Sequence, residues 1–236
     1  MLAFISNVNE DHILNGEYEG DEEERVRKAV EILSKAPLYV EELPDFSLQD
    51  VENKIKKNIR DHDVKYVFHD YIHTSLKILE EITKRSGGIK LREDNILFML
   101  STRLKDICNQ YGVFIMSATQ LNGDYQTSET PDQNLLRGAK AIADKIDLGM
   151  ILLGVKEEDL TKLEPILNTN IFEKPTIKLS IYKNRRGRGI YLWCKADLGC
   201  CRIQPMFATT YSYEMVNIND MKIKLEEESA FECDDD

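Results

Sequence analysis

The chain has 236 residues, of which 42% are hydrophobic and 31% are charged, and its formal net charge at pH 7 is −11. This length and composition are typical of one large globular domain, or of a domain with appendages. The negative charge argues against a wholly basic nucleic-acid coat, because phosphate binding depends on a high density of Lys and Arg.

The apolar stretches and the cysteines bear on the cellular location. The longest apolar stretches have the length of strands, and residues 1–8 lack a basic leader, so we predict no secretion signal and no membrane span. Five cysteines form an odd set without C-x-x-C spacing, which favours reduced, buried thiols over disulfides or a zinc site. We therefore expect a cytoplasmic protein.

The first part of the chain alternates helical patterns with strand-like runs. Apolar spacing predicts a surface helix over residues 21–34, followed by a short strand at 38–40. Ser47 is a suitable N-cap for the next helix, whose apolar positions recur every four residues. Residues 64–69 form a nearly continuous apolar run, which is the pattern of a parallel strand covered on both faces.

The middle of the chain continues this alternation. Helical turns after Asp70 end near residues 87–88, and the helix that begins at Asp94 ends at Gly112, a residue suited to a left-handed cap. A strand over 113–118, a polar loop, a helix over 135–145 and a strand over 148–153 follow. Such an order predicts an α/β fold with a mostly parallel sheet flanked by helices.

The C-terminal part has a different order of predicted elements, with strands that follow one another directly. Residues 177–182 and 190–194 are separated by a glycine-rich turn and predict an antiparallel hairpin, with 201–204 as a possible third strand. The apolar pattern weakens beyond residue 205, and the acidic end of the chain is typical of a disordered tail. We therefore divide the chain into a domain at 1–205 and an extension at 206–236.

The candidate site residues lie at strand ends. Asp70 and Gln120 end two predicted parallel strands, at the edge where ligands of open α/β sheets bind, and Lys183 and Arg185 follow on the hairpin. An acid, an amide and two cations can hold a magnesium-bound phosphate and sense its loss. The sequence nevertheless contains no G-x-x-x-x-G-K-[ST] phosphate loop.

Each of these residues also has an ordinary structural interpretation. Asp70 could cap a helix, and Gln120 could be a loop amide. The basic hairpin could simply face solvent, as we expect for Arg186 and Arg188. The histidines that flank Asp70 lack a metal-ligand pattern, so we interpret them as structural.

Taken in order, the motifs resemble the C-terminal motor domain of the DnaB-like replicative DNA helicases, most closely those of phages and prophages. The resemblance runs from residue 1 to about residue 205. It rests on 1–6 (MLAFIS), 68–72 (FHDYI), 117–122 (SATQLN), 136–140 (LRGAK) with 143–147 (ADKID), and 183–185 (KNR). These resemble, respectively, the helix after the second conserved motif, the Walker B strand, the strand-end glutamine motif, the DNA-loop motif and the K-x-R hairpin.

The resemblance implies a RecA-like P-loop NTPase core that uses ATP and Mg²⁺ to unwind duplex DNA during replication. It implies that Asp70 holds magnesium through water, that Gln120 senses the γ-phosphate, and that Lys183 and Arg185 reach the nucleotide of a neighbouring subunit. It further implies that Arg137, Gly138 and Lys140 bind DNA.

The expected partners follow from the same resemblance. They are single-stranded DNA, further copies of the chain in a ring, most simply a hexamer, and possible contacts with a helicase loader and primase. No membrane partner is expected, and the location would be the cytoplasm of a bacterial host or a phage-infected cell.

The sequence also departs from the family pattern. The phosphate loop and the water-activating glutamate would lie upstream of Met1, and Gly138 and Ala139 stand where the family more often has Glu and Ser. We therefore expect the C-terminal part of a longer helicase that does not hydrolyse ATP alone. In the family's sheet a central strand lies between those matching 113–118 and 148–153, so its absence would leave unpaired edges and lower the stability.

Two other functions stay open at this point. A RecA- or RadA-like recombinase ATPase would share the fold, although the order of the K-x-R hairpin and the DNA-loop arginine fits a helicase better. A non-catalytic module, either a truncated subunit or a partner-binding fragment, would explain the missing phosphate loop.

Overall fold

The computed structural model describes residues 1–85, 93–123, 132–135, 139–169 and 171–216. The helices are α1 (Leu2–Ser6), α2 (Glu10–Asn15), α3 (Glu22–Lys35), α4 (Leu48–His62), α5 (Leu76–Arg85), α6 (Glu93–Tyr111), α7 (Ala139–Lys145) and α8 (Glu157–Leu167). The strands are β1 (Tyr66–His69), β2 (Phe114–Ser117), β3 (Leu148–Gly154), β4 (Ile177–Asn184), β5 (Ile190–Asp197) and β6 (Arg202–Thr209).

Local chemistry sets the ends of several helices. Ser47 and Asp50 form a capping box at the start of α4: the Asp50 N–H donates to the Ser47 hydroxyl at 3.0 Å, and the Ser47 N–H donates to the Asp50 carboxylate at 2.9 Å. Gly112 ends α6 with a φ of 63°, a left-handed conformation that glycine adopts without strain. Both helix ends confirm the sequence-based prediction.

The strands form two sheets of different kinds. β1 and β2 pair in parallel, with His69 opposite Ser117 at the end of the ladder. β3, β4, β5 and β6 form an antiparallel sheet in that order. The α/β class with a C-terminal antiparallel hairpin is thus confirmed, although the antiparallel part is larger than predicted because β3 pairs with β4 rather than with a parallel neighbour.

Helix α6 supports the main hydrophobic core. Its residues Leu97, Leu100, Leu104 and Ile107 are buried in one cluster. Other members come from α4, α5, α7 and the residue before β2, and include Val51, Ile55, Ile78, Ile82, Ile142 and Val113. The partly buried Val67 of β1 and Ile115 of β2 pack against this cluster. Because α6 contacts both the parallel pair and α7, it connects the region of β1 and β2 with the segment that leads into β3.

A second core lies in the antiparallel sheet. The single tryptophan of the chain, Trp193, is fully buried together with Phe207 and Leu163. The Trp193 indole N–H donates to the Thr209 hydroxyl at 2.9 Å. This polar contact lets the ring pack deep in the sheet without leaving its donor unpaired.

The structure corrects several predictions. Residues 38–40 form no strand, since their backbones have no sheet partner among the described residues. β1 is not covered on both faces: Tyr66 and Phe68 are exposed while the residues that alternate with them are half-buried. Of the four described cysteines, all are free, but only Cys194 is buried.

The predicted boundary at residue 205 falls inside β6. This strand continues to Thr209, because Phe207, Ala208 and Thr209 are buried against β5. The acidic tail lies within residues 217–236, outside the described residues. The expectation of a missing strand between β2 and β3 stays a prediction, but no hydrogen-bonded ladder joins these two strands in the described part of the chain.

Candidate nucleotide site

Asp70 and Gln120 lie at the same edge of the parallel sheet. Asp70 directly follows β1, and Gln120 lies three residues after the end of β2; because the two strands are parallel and in register, their carboxyl ends meet. Both residues are exposed. The Gln120 side-chain amide donates to the Tyr71 hydroxyl at 3.5 Å, which places the amide beside the segment that carries Asp70.

The histidines on either side of Asp70 fix the backbone around it. The Ser117 hydroxyl donates to the His69 carbonyl at 2.6 Å and lies 3.0 Å from His69 Nδ1. The His73 ring packs edge-on against the buried Phe46. Burial, with a smaller contribution from His73, lowers the pKa of His69. These contacts agree with the structural interpretation of both histidines.

Lys183 and Arg185 lie at the end of β4, where they contact groups of their own chain. The Lys183 ammonium donates to the carbonyl of Ala143 in α7. The Arg185 guanidinium forms an ion pair with Asp147 at 3.0 Å, and the Arg185 backbone N–H donates to the Asp147 carbonyl at 3.1 Å. Lys183 is therefore bound to α7, and Arg185 to the short segment between α7 and β3.

Asp147 binds the candidate residue Arg185, and the sequence alone did not reveal this contact. Its carboxylate also binds Lys105 of α6 at 2.5 Å. The Lys105 ammonium, with smaller contributions from Arg185 and Lys183, holds the pKa of Asp147 below its ordinary value. Only its position directly before a strand and inside the 143–147 motif could have drawn attention to it.

The structure thus brings Asp70 and Gln120 to one sheet edge, whereas Lys183 and Arg185 contact Ala143 and Asp147. Among the described residues, no hydrogen bond or ion pair connects Lys183 or Arg185 with Asp70 or Gln120. Arg137 and Gly138 lie outside the described residues, as does the side chain of Lys140, whose backbone belongs to α7. Their predicted contact with DNA stays a prediction.

The donor set at the sheet edge is compatible with magnesium but insufficient to hold it alone. No cluster of three or more metal-ligating side chains occurs among the described residues. Mg²⁺ commonly keeps several waters and is held by one or two carboxylates together with substrate phosphates, a role that the exposed carboxylate of Asp70 fits.

No helix in the described part of the chain combines the length and apolar character needed to cross a membrane.

Comparison with solved structures defines the fold. The chain aligns with a solved ATPase domain at a TM-score of 0.66 and 13% identity, covering 87% of this chain and 68% of that domain. It also aligns with a DnaB-like replicative helicase studied with its primase, at a TM-score of 0.65 and 13% identity, covering 86% of this chain and 46% of that chain. These neighbours show that the chain has a RecA-like α/β fold.

The family follows from the sequence. The model of the DnaB-like helicase C-terminal domain matches residues 1–193, and the chain therefore belongs to this family. The Bacillus subtilis SPbeta prophage-derived uncharacterized protein YorI is 38% identical over 229 residues, which are 94% of this chain and 45% of YorI.

A cellular helicase is a more distant relative. The replicative DNA helicase DnaB of Mycoplasma genitalium is 27% identical over 173 residues, which cover 70% of this chain and 34% of that protein. The chain thus spans less than half the length of either relative, so activities of the whole relatives come to this chain only as proposals.

Proposed function

We propose that this chain is part of the motor of a replicative DNA helicase that uses ATP and Mg²⁺ to unwind duplex DNA. The observation that carries the proposal is the position of Asp70 and Gln120 at adjacent ends of a parallel pair in a chain of the DnaB-like family. The carboxyl edge of such a sheet is where α/β proteins bind nucleotides.

Each residue has a distinct role in this proposal. Asp70 would hold the magnesium ion through water, and Gln120 would contact the terminal phosphate or the attacking water. Bound Mg²⁺ would neutralise charge on the phosphates. Lys183 and Arg185 contact Ala143 and Asp147 rather than Asp70 or Gln120, which supports a role at the nucleotide of a neighbouring subunit in a ring. Single-stranded DNA, a loader and primase belong to the same proposal.

The chain by itself is expected to lack DNA-stimulated ATPase activity, because its sequence has no G-x-x-x-x-G-K-[ST] loop to cradle the phosphates. The function is therefore tested in a chimera in which this chain replaces the matching region of YorI. We expect the chimera to hydrolyse ATP in response to single-stranded DNA and to unwind a forked duplex.

Variants assign that activity to the proposed site. Asp70→Asn should abolish hydrolysis, and Gln120→Ala should retain nucleotide but stop unwinding, whereas Gln110→Ala, an exposed amide on α6, should behave as the parent. A folded chimera without ATPase activity, or one indifferent to Asp70→Asn, would reject the proposed motor in favour of a non-catalytic module. Strand exchange without unwinding would favour a recombinase.

A further inference from the structure

Strand β4 contains a β-bulge directly before the two basic candidates of the hairpin. In the ladder with β3, Met150 pairs with Ile181 and Gly149 pairs with Lys183, so Tyr182 is an additional residue in β4. A bulge bends its strand and changes the direction of side chains, and bulges are common next to active sites. Its position immediately before the K-x-R motif means that this bulge can control where the cations lie.

The bulge determines on which face of the sheet Lys183 and Arg185 lie. Residues paired across an antiparallel ladder share a face, and Gly149 belongs with Ile151 to the buried face of β3. Lys183 therefore lies on the buried face, and so does Arg185, two residues later. A ladder without the bulge would pair Lys183 with Leu148, which is 46% exposed on the opposite face. Such a shift by one residue would move both cations to the other face.

The contacts of the two cations depend on this register. The Lys183 ammonium donates to the Ala143 carbonyl of α7. The Arg185 backbone N–H donates to the Asp147 carbonyl at 3.1 Å, which continues the shifted register beyond the end of β3, and the guanidinium pairs with the Asp147 carboxylate. Without the bulge, Asn184 would stand opposite Asp147. The positions of both cations therefore follow from one additional residue in β4.

Gly149 provides the space in which the Tyr182 ring lies. A Cβ atom at Gly149 would lie 2.8 Å or less from three atoms of the Tyr182 side chain, closer than side chains pack. The ring contacts the cluster of Leu135 and Ile151, and burial raises the pKa of its hydroxyl to about 12. A side chain at position 149 would therefore displace a rigid, partly buried ring. Gly154 of the same strand differs, since a Cβ there would meet nothing within 4 Å.

A second tyrosine holds β4 directly before the bulge. The Tyr211 hydroxyl donates to the Ile181 carbonyl at 2.7 Å. Its ring packs on that of Tyr191 in β5, with centroids 4.8 Å apart. A Cβ atom at Gly189, in the turn between β4 and β5, would lie 2.9 Å or less from three atoms of Tyr211. The segment after β6 therefore fixes the base of the basic hairpin.

We infer that Gly149 is a positioning residue: by leaving room for Tyr182, it allows the bulge that puts Lys183 and Arg185 on the buried face of the sheet. Tyr211 supports the same arrangement by holding the strand before the bulge. The catalytic meaning of this inference rests on the proposed function, in which the two cations contact the phosphates of a neighbouring subunit. Gly149 itself touches no phosphate in that role and acts only through the cations.

The register of β4 in the folded chain tests the structural part of the inference. Nuclear Overhauser contacts between backbone protons distinguish Lys183 opposite residue 149 from Lys183 opposite Leu148. We expect the first pairing in the parent and in Gly154→Ala, the matched control, and the second in Gly149→Val, whose side chain excludes the Tyr182 ring. Deleting Tyr182 from the Gly149→Val variant removes the additional residue and should return Lys183 to its place opposite residue 149.

ATP turnover in the YorI chimera tests the catalytic part. Gly149→Val should lower turnover about 100-fold or more with little change in KM for ATP, because a finger acts chiefly on the transition state. Deleting Tyr182 from that variant should restore most of the turnover, which a repaired register explains and a loss of stability does not. Gly149→Val combined with Arg185→Ala should be no slower than Arg185→Ala alone, since both remove the same interaction. Gly154→Ala should behave as the parent.

Folding of each variant is checked by the fluorescence of the buried Trp193. If Gly149→Val does not fold, Gly149→Ala replaces it in both measurements, because its Cβ atom alone already meets the Tyr182 ring.

Three results would overturn the inference: a folded Gly149→Val chain in which Lys183 stays opposite residue 149, a chimera in which Gly149→Val turns over ATP as fast as the parent, or a loss that adds fully to that of Arg185→Ala. A parent chimera without ATPase activity would instead reject the proposed function. The register measured in the chain itself would then decide the inference.

Discussion

Asp147 determines where the cation of the K-x-R hairpin lies in the isolated chain. Its carboxylate binds Arg185 at 3.0 Å and Lys105 at 2.5 Å, so the guanidinium is oriented by its own chain. Both Asp147 and Arg185 are 53% exposed, and ion pairs with this exposure are weak. The guanidinium can therefore exchange Asp147 for a phosphate at little cost, as the proposed finger role requires.

Arg185→Ala in the chimera should abolish hydrolysis and leave nucleotide affinity little changed. A finger acts chiefly on the transition state, where it is worth on the order of 10³ or more in rate. Arg186→Ala is the control, because Arg186 is the next residue and is also exposed. ATP turnover and equilibrium nucleotide binding are measured on the same preparations. A parallel loss of binding would instead make Arg185 a ligand of the ground state.

At the scale of secondary-structure elements, helix α8 is linked to the antiparallel sheet through the side chain of Asp159. The Lys178 ammonium donates to the Asp159 carboxylate at 2.7 Å, and the Tyr213 hydroxyl donates to the same oxygen at 2.6 Å. Lys178 also lies over the rings of Tyr191 and Trp193. Burial opposes the ionisation of Asp159, but the hydrogen bonds from Lys178 and Tyr213 prevail and lower its pKa from the ordinary value of an aspartate.

Asp159→Asn should destabilise this sheet by roughly 3–5 kcal/mol, since it leaves the Lys178 charge buried without its counterion. Urea unfolding followed by Trp193 fluorescence measures the change in the free energy of unfolding, and Glu158→Gln, an exposed acid on the same helix, is the control. The contribution of Asp159 is fully present above the ordinary pKa of an aspartate and is lost as the pH falls through its lowered folded-state pKa. The variant should therefore lose less stability on acidification than the parent, and an equal loss would contradict the assignment.

Sequence patterns predicted those elements whose periodicity or caps are local. The stripe and terminal glycine of α6 and the Ser47 cap of α4 depend on neighbours within a few residues, and both were predicted correctly. Helix α8 was not predicted, because Pro165 lies inside it. β1 was predicted to be covered on both faces, but an apolar run does not reveal whether anything packs on its second face.

The candidate site, too, was predictable from the sequence only in part. The meeting of Asp70 and Gln120 follows from two parallel strands of similar length, which the alternation of elements already indicated. The contact between Asp147 and Arg185 depends instead on the pairing of β3 with β4, two elements separated by α8. No local pattern reports such a pairing, so Asp147 could only be found in the folded structure.

At the scale of the whole molecule, the contacts of the two residue pairs constrain the mechanism. Asp70 and Gln120 lie at the end of the parallel pair, whereas Lys183 contacts Ala143 of α7 and Arg185 contacts Asp147 just before β3. Among the described residues, no hydrogen bond or ion pair joins Lys183 or Arg185 with Asp70 or Gln120. A ring of identical subunits would join the first pair of one copy with the second pair of the next.

Mixed assemblies of two inactive chimeras test this arrangement. One subunit carries Arg185→Ala and retains Asp70, and the other carries Asp70→Asn and retains Arg185. If the cations act on the neighbour's nucleotide, some interfaces in a mixed ring place an intact site against an intact finger, so ATP hydrolysis should partly return on mixing. If the cations act within their own subunit, every subunit carries one defect and hydrolysis cannot return in any arrangement.

The mixing result depends on proof that the subunits co-assemble. Differently tagged subunits purified through both tags provide that proof, and a mixture of two separately prepared Arg185→Ala pools is the control, since it contains no intact finger. Activity that rises with the fraction of mixed interfaces supports the ring arrangement. Its complete absence in verified mixed rings would place Lys183 and Arg185 outside the neighbour's site and would reject the ring arrangement.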